Sequence, residues 1–289
     1  MLLEQLVNAL TLGSIYVLIA LGFTLVFGVL NVINMAHGAI FMMGAFSGMV
    51  LSSWFGLPFP IALLGTLFVS GMLGVVLEYV ALRPMRKTNN TSALPSLIST
   101  IGLAIVLENL AHRFFGSGNQ PFRVALPEIH IPIGSASIDA IQLLIILIAM
   151  GTTVALTMWL QQGKTGKALR AVADNQENAS LLGINVQRII VTTVIVASML
   201  GGLAGMLVGI ALNTVSPQMG LSMGLKGLAI VIVGGMGNSK GAVVGGVLLG
   251  CIETLVVVTG FSGYIDAIAF AMIIFILLVK PQGIFGKPS

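Results

Sequence analysis

In the apolar stretch GVLNVINMAHGAIFMMGAF, residues 28–46, Asn31, Asn34 and His37 fall one helical turn apart, with Gly38 beside them. Two amides and an imidazole in lipid-like sequence can meet a polar solute. They can also satisfy backbone groups at a helix break that lipid cannot satisfy. The stretch is therefore either a short loop between two ordinary spans or a broken helix at a functional centre, with Asn34 and His37 tying down backbone. Metal chemistry lacks a ligand set, because no carboxylate or Cys/His cluster accompanies His37 at ligand spacing, and His112 and His130 are isolated histidines. No nucleophile–base set stands out, so nothing supports catalysis by this chain. Lys226 and Glu253 lie well inside apolar segments, where ionisable groups are costly and mark function or pairing. A mutual ion pair is the expectation. Glu78 near Arg83, and Glu108 near Arg113, lie toward segment ends and are expected to snorkel to the interface, as is Asp266.

Two glycine motifs imitate nucleotide sites. The GKT at 163–165 needs a glycine five residues earlier after a strand; Met158 stands there, at the end of an apolar helix pattern. GGMGNSKG at 234–241 has its third glycine one place late and apolar spans on both flanks. Helix crossing explains the spacing of Gly237, Gly241 and Gly245, and of Gly201, Gly205 and Gly209. An internal echo adds to this. Asn34-Met-Ala-His37-Gly38-Ala and Asn238-Ser-Lys-Gly241-Ala each follow one apolar run and open another. Paired interrupted segments of this kind point to a repeat with a site nearby, which makes Asn31, Asn34, His37, Gly38, Gly234, Gly235, Gly237, Asn238 and Gly241 the candidates for a translocation path or broken helices.

The elements that must hold these residues follow from composition. Of 289 residues, 57% are hydrophobic and 8% charged, against about 25% charged in a soluble domain. That is too little polar surface to coat a water-soluble globule, so the chain reads as an all-α, polytopic membrane bundle. The 36 glycines suit close helix approach. Cys251, alone in an apolar run, makes no disulfide framework and reads as a small buried hydrophobe. The net charge of +4 needs no nucleic-acid partner, since the basic residues cluster in loops. The N-terminus lacks a basic n-region, and no cleavable signal peptide is expected.

Apolar runs at 5–28, 36–53, 59–81, 94–112, 138–160, 189–212, 219–236, 241–259 and 264–279 give eight or nine spans, the second, seventh, eighth and ninth being short or broken. Basic residues in loops 82–93 and 161–188 and in the tail (Lys280, Lys287) put those on the cytoplasmic side, with loop 113–137 and the N-terminus outside. No polar stretch is long enough for a soluble core, so residues 1–289 read as one transmembrane domain. Any energy-coupling or solute-capturing domain must be another polypeptide.

Loop 161–188 reads as two short surface helices. Ala168, Leu169, Ala171 and Val172 fall in the first, with Ala168, Leu169 and Val172 as its apolar face. The second covers 175–182, starting at Asn175, with Asp174 as N-cap, Glu177 at N3, Ala179 and Leu182 on one face and Gly183 as the terminating residue. So short a helix needs support. Packing on its own bundle would supply it; the length of the loop favours docking to a partner instead.

Five motifs occur in order: LNVINMAHGAIFMMGAF, ALRPMRK, RAVADNQENASLLGINV, KGLAIVIVGGMGNSKGAVVGGVLLG and LLVKPQGIFG. Together, from about residue 5 to 286, they resemble the membrane permease of bacterial branched-chain amino-acid ABC importers, the shorter Liv-type subunit. The chain departs from that pattern at Ala39, where many members carry an acid. The resemblance implies a multi-pass inner-membrane protein working as a heterodimer with a sister permease, on two cytoplasmic ATPase subunits, fed by a periplasmic binding protein. ATP would be bound by the ATPases, with no cofactor here. Loop 161–188 would dock in an ATPase groove, and solute would pass between the two permeases. A self-sufficient, ion-coupled secondary transporter is the alternative, to which Lys226 and Glu253 would suit.

Overall fold

The computed structural model describes residues 2–87, 94–124, 130–133, 136–280 and 282–286. Residues 88–93 of the basic loop, 125–129 of the outer loop and Lys287 lie outside the described residues. The chain is a polytopic helical bundle. Its elements in order are α1 (Leu2–Leu30), α2 (Ala36–Met49), α3 (Phe59–Val76), α4 (Arg83–Lys87), α5 (Leu94–Phe115), α6 (Ala140–Gln162), α7 (Lys164–Asp174), α8 (Gln176–Leu181), α9 (Val186–Leu212), α10 (Met219–Gly234), α11 (Ser239–Val258) and α12 (Ile265–Val279). Eight helical segments among the described residues are long and apolar enough to cross a membrane, and α10, at 16 residues, is the short ninth apolar helix. π-helical turns extend α2 over Val50–Trp54 and α3 over Leu77–Leu82.

Burial sorts the helices. The 18-residue cores of α1 and α9 are both 78% buried, whereas α6 and α12 are 17% and 6% buried. α1 and α9 are thus the axis of the bundle. α3, α5, α6 and α12 present Phe68, Ile98, Leu147 and Phe275 outward, as helices facing lipid must. Small residues permit the central crossings. A Cβ on Gly205 of α9 would overlap the Phe41 carbonyl of α2, and one on Gly44 would overlap the Gly202 backbone. Gly209 meets Phe122, Gly241 meets Gly234 and Gly245 meets Ile230, so these positions are close contacts, whereas Gly237 (φ 80°) lies in the turn between α10 and α11.

The outer loop and the α9–α10 connection hold short strands that a purely helical reading leaves out. β1 (Gln120–Pro121) pairs antiparallel with β4 (Thr214–Val215), and β2 (His130–Ile133) with β3 (Ala136–Asp139). At the opposite end, the Gln176 amide donates to the Val29 carbonyl at 3.1 Å, and the Ile284 and Phe285 amides donate to the Val233 and Gly234 carbonyls. The C-terminal ends of α1 and α10, the α7–α8 segment and the tail therefore meet on one side. It carries Arg86, Lys164, Lys167, Arg170, Arg188 and Lys240, which makes it cytoplasmic. α1 then begins outside.

Candidate coupling and translocation site

The interrupted stretch is a turn that folds back into the bundle. Asn31 takes the left-handed conformation (φ 51°) and its amide closes the last turn of α1 on the Phe27 carbonyl at 2.8 Å. Residues 31–35 then return along α1, because His37 packs against Gly22, eight residues or about 12 Å back from the end of that helix. Asn34, 2% exposed, accepts from the Ala36 amide at 3.1 Å, and the Thr100 hydroxyl of α5 accepts from the Met35 amide. The first amides of α2 thus find partners inside the membrane. Gly38 sits against the Gly220 carbonyl and Gly224 of α10, a contact that a side chain would block.

His37 departs from expectation. It ties down no backbone: neither ring nitrogen has a hydrogen-bond partner of good geometry, although the Ile19 carbonyl lies beside the ring. The imidazole is fully enclosed between Gly22 and Gly201, edge-on to Phe23 at 4.6 Å. It acts as a wedge where α1, α2 and α9 meet.

The second break parallels the first locally. Gly235 (φ 101°) and Gly237 (φ 80°) turn the chain after Gly234, and Asn238 caps α11 by accepting from the Lys240 and Gly241 amides at 3.0 and 3.3 Å. Its amide nitrogen donates to the Phe285 carbonyl, fastening the tail. Asn34 and Asn238 thus each accept from the residue two places on, at the start of a helix that follows a break. Gly28 and Gly237 approach closely, so the two breaks are neighbours at the cytoplasmic end.

The cytoplasmic pair α7–α8 corrects three expectations. The N-cap of α8 is Asn175, not Asp174: Asn175 has the extended backbone of a cap (φ −156°, ψ 113°) and its side chain accepts from the Asn178 amide at 2.9 Å. Asp174 is still helical at the end of α7, and Glu177 therefore stands one place short of N3. Leu182 does not share a face with Ala179, because α8 ends at Leu181 and the chain turns out there. Ala179 is 1% exposed, whereas Leu181 and Leu182 are 82% and 80% exposed. Leu169 and Val172 are buried against the protein's own bundle, with Ala168 and Ala171 partly buried beside them, and Arg170 donates to the Leu160 carbonyl. Gly183 (φ 80°) ends the helix, with the Ile184 amide reaching back to the Ala179 carbonyl.

The membrane charges also rearrange. Lys226 on α10 lies 2.8 Å from Glu253 on α11 and 2.8 Å from Asp266 on α12, and the Tyr16 hydroxyl of α1 donates to Glu253. Four helices thus share one ionic knot, buried at Lys226 and Glu253 and open at Asp266, whose side chain is 61% exposed. Glu78 is fully buried and pairs with Arg86 and the Gln187 amide, not with Arg83, whose guanidinium lies over Tyr79 at 4.9 Å. The π-turn over 77–82 holds extra residues per turn, so ordinary helical spacing mislocates Glu78. Glu108 meets His112 at 3.9 Å rather than Arg113. Tyr16, Arg86, Gln187 and Leu181 were missed by motif reading. Of these, Leu181 carried a usable signal, as the exposed twin of Leu182 next to a terminating glycine.

The family model for the permease component of branched-chain amino acid transport systems matches residues 5–277. The chain belongs to this family. Among its relatives, the high-affinity branched-chain amino acid permease LivH of Escherichia coli is 35% identical, covering 99% of this chain and 96% of the relative. BraD, the corresponding protein of Pseudomonas aeruginosa, is 34% identical over the same shares. The ribose import permease RbsC of Haemophilus influenzae is 24% identical over 96% of this chain and 84% of the relative. As a permease component of an ABC transport system, this permease works with ATPase and solute-binding partners.

Proposed function

We infer that this permease is the membrane-spanning subunit of an ATP-driven importer carrying branched-chain or related amino acids from periplasm to cytoplasm across the bacterial inner membrane. Residues 1–289 act as one transmembrane domain, paired with a sister permease and resting on two ATPase subunits that bind and hydrolyse ATP. A periplasmic binding protein delivers solute, and this chain catalyses no reaction and holds no cofactor. The observation that carries the reading is the adjacent pair Leu181–Leu182, 82% and 80% exposed at the tip of a capped cytoplasmic helix whose other face is buried on the bundle. Exposed aliphatic pairs on a supported helix suit insertion into a partner's groove. The packing of Leu169, Val172 and Ala179 then makes α7–α8 a rigid lever that carries ATPase motion into α1, α6 and α9. The crossings at Gly38, Gly234 and Gly241, and the neighbouring breaks at Asn31–Asn34 and Gly235–Asn238, are where that motion would open a path.

The test is the double variant Leu181→Asp/Leu182→Asp. Both residues are solvent-exposed, so the permease is expected to insert at wild-type level. ATP-dependent uptake of L-leucine in vesicles is expected to fall at least about tenfold, the equivalent of about 1.4 kcal/mol of lost docking. Undiminished uptake would reject the docking assignment.

A further inference from the structure

At the cytoplasmic end, between α1, α6, α7 and α11, a cavity of about 320 Å³ is lined by Thr24, Leu160, Arg170, Ser239, Lys240 and Val243 among others. No carboxylate lines it, and among the described residues neither Arg170 nor Lys240 makes an ion pair. Two further features point to an anion. The 20-residue helix α11 begins at Ser239, so its positive end adjoins the cavity. Thr24, 3% exposed, contributes a buried hydroxyl with no hydrogen-bond partner, a donor left over for an occupant. Leu160 and Val243 add an apolar wall, and the outer face of α6, with Val154 and Met158 exposed, continues from it into lipid.

We propose that this cavity binds the phosphate headgroup of an anionic inner-leaflet phospholipid, held by the Arg170 and Lys240 side chains and the Thr24 hydroxyl, with the positive end of α11, whose Lys240 and Gly241 amides are already capped by Asn238, adding only its field. The apolar wall and the opening along α6 select a phospholipid over free phosphate, because a small anion would leave that wall uncovered. Basic pockets between transmembrane helices on the cytoplasmic side suit such headgroups. Because Leu169 and Arg170 belong to α7, the bound lipid braces the lever helix against the bundle.

Trp159 of α6 lies at this end of the molecule, and the only other tryptophan, Trp54, ends the extension of α2 on the outer side. The full-length chain carrying Trp54→Phe is reconstituted in phosphatidylcholine nanodiscs containing increasing fractions of brominated phosphatidylglycerol or brominated phosphatidylcholine. Phosphatidylglycerol is expected to quench Trp159 at a mole fraction about tenfold lower than phosphatidylcholine. Lys240→Gln, and Lys240→Gln with Arg170→Gln, are expected to bring the two lipids within about threefold and twofold of each other. Thr24→Val, which alters no charge, is expected to reduce the preference about threefold. Added inorganic phosphate is expected to leave quenching by phosphatidylglycerol unchanged. Equal quenching by the two lipids in the parent chain overturns the proposal, as does a preference retained by folded Lys240→Gln. Relief of quenching by phosphate alone would assign the site to a free anion and overturn the lipid.

Discussion

Glu253→Ala lowers the midpoint of thermal unfolding of the detergent-purified permease more than any single surface substitution. The reason is the ionic knot. Lys226 is 6% exposed at its side chain and sits between Glu253 and Asp266, each at 2.8 Å. Removing Glu253 leaves the ammonium with Asp266 alone, whose side chain is 61% exposed, and strips the Tyr16 hydroxyl of its acceptor. Breaking a buried pair from one side costs about 3–5 kcal/mol, whereas replacing both partners by apolar groups is often neutral. Lys226→Met is therefore expected to be as damaging as Glu253→Ala, and the double variant Lys226→Met/Glu253→Leu milder than either. The double-mutant cycle reads the coupling directly. Additive losses would show that the knot contributes no pairing energy.

Gly205→Val is the second large effect, and it acts through shape alone. A Cβ at Gly205 overlaps the Phe41 carbonyl and comes 3.0 Å from the Ala45 amide nitrogen, so backbone must move against backbone at the α2–α9 crossing. Overpacking a core costs about 1–3 kcal/mol even where side chains can yield, and here none can. Folded yield from membranes is expected to fall at least about tenfold. Gly102→Ala in α5 is the control. Nothing lies within 4 Å of its added Cβ, so relief of glycine's helix penalty is expected to stabilise by about 0.5–1 kcal/mol. Equal yields from the two variants would remove close packing as the basis of the central crossing.

The spans were legible because lipid imposes a length and an apolar composition that a single chain displays openly. The shortness of α10 and the partnership of Lys226 with Glu253 were legible for the same reason, since a charge in a span must find a partner. What stayed hidden depends on which face turns where. The position of Glu78 followed a π-turn that no spacing rule anticipates. The exposure of Leu182 depended on its being the C-cap of α8 rather than its last helical residue, although Gly183 is the terminating residue expected. His37 looked like a backbone anchor, yet the glycines at 22 and 201, far away in sequence, made room for it as a wedge. Tyr16 and Asp266 joined the ionic knot through tertiary packing of α1 and α12, which leaves no local trace.

The central claim is that this permease moves amino acids only when ATPases drive it. The direct measurement is accumulation of labelled L-leucine in proteoliposomes holding this chain with the proposed sister permease and pair of ATPase subunits and with the binding protein. Uptake is predicted to require ATP and the binding protein and to vanish when the ATPases are omitted. Leucine accumulation by this chain alone, driven by a sodium or proton gradient without ATP, would contradict the account.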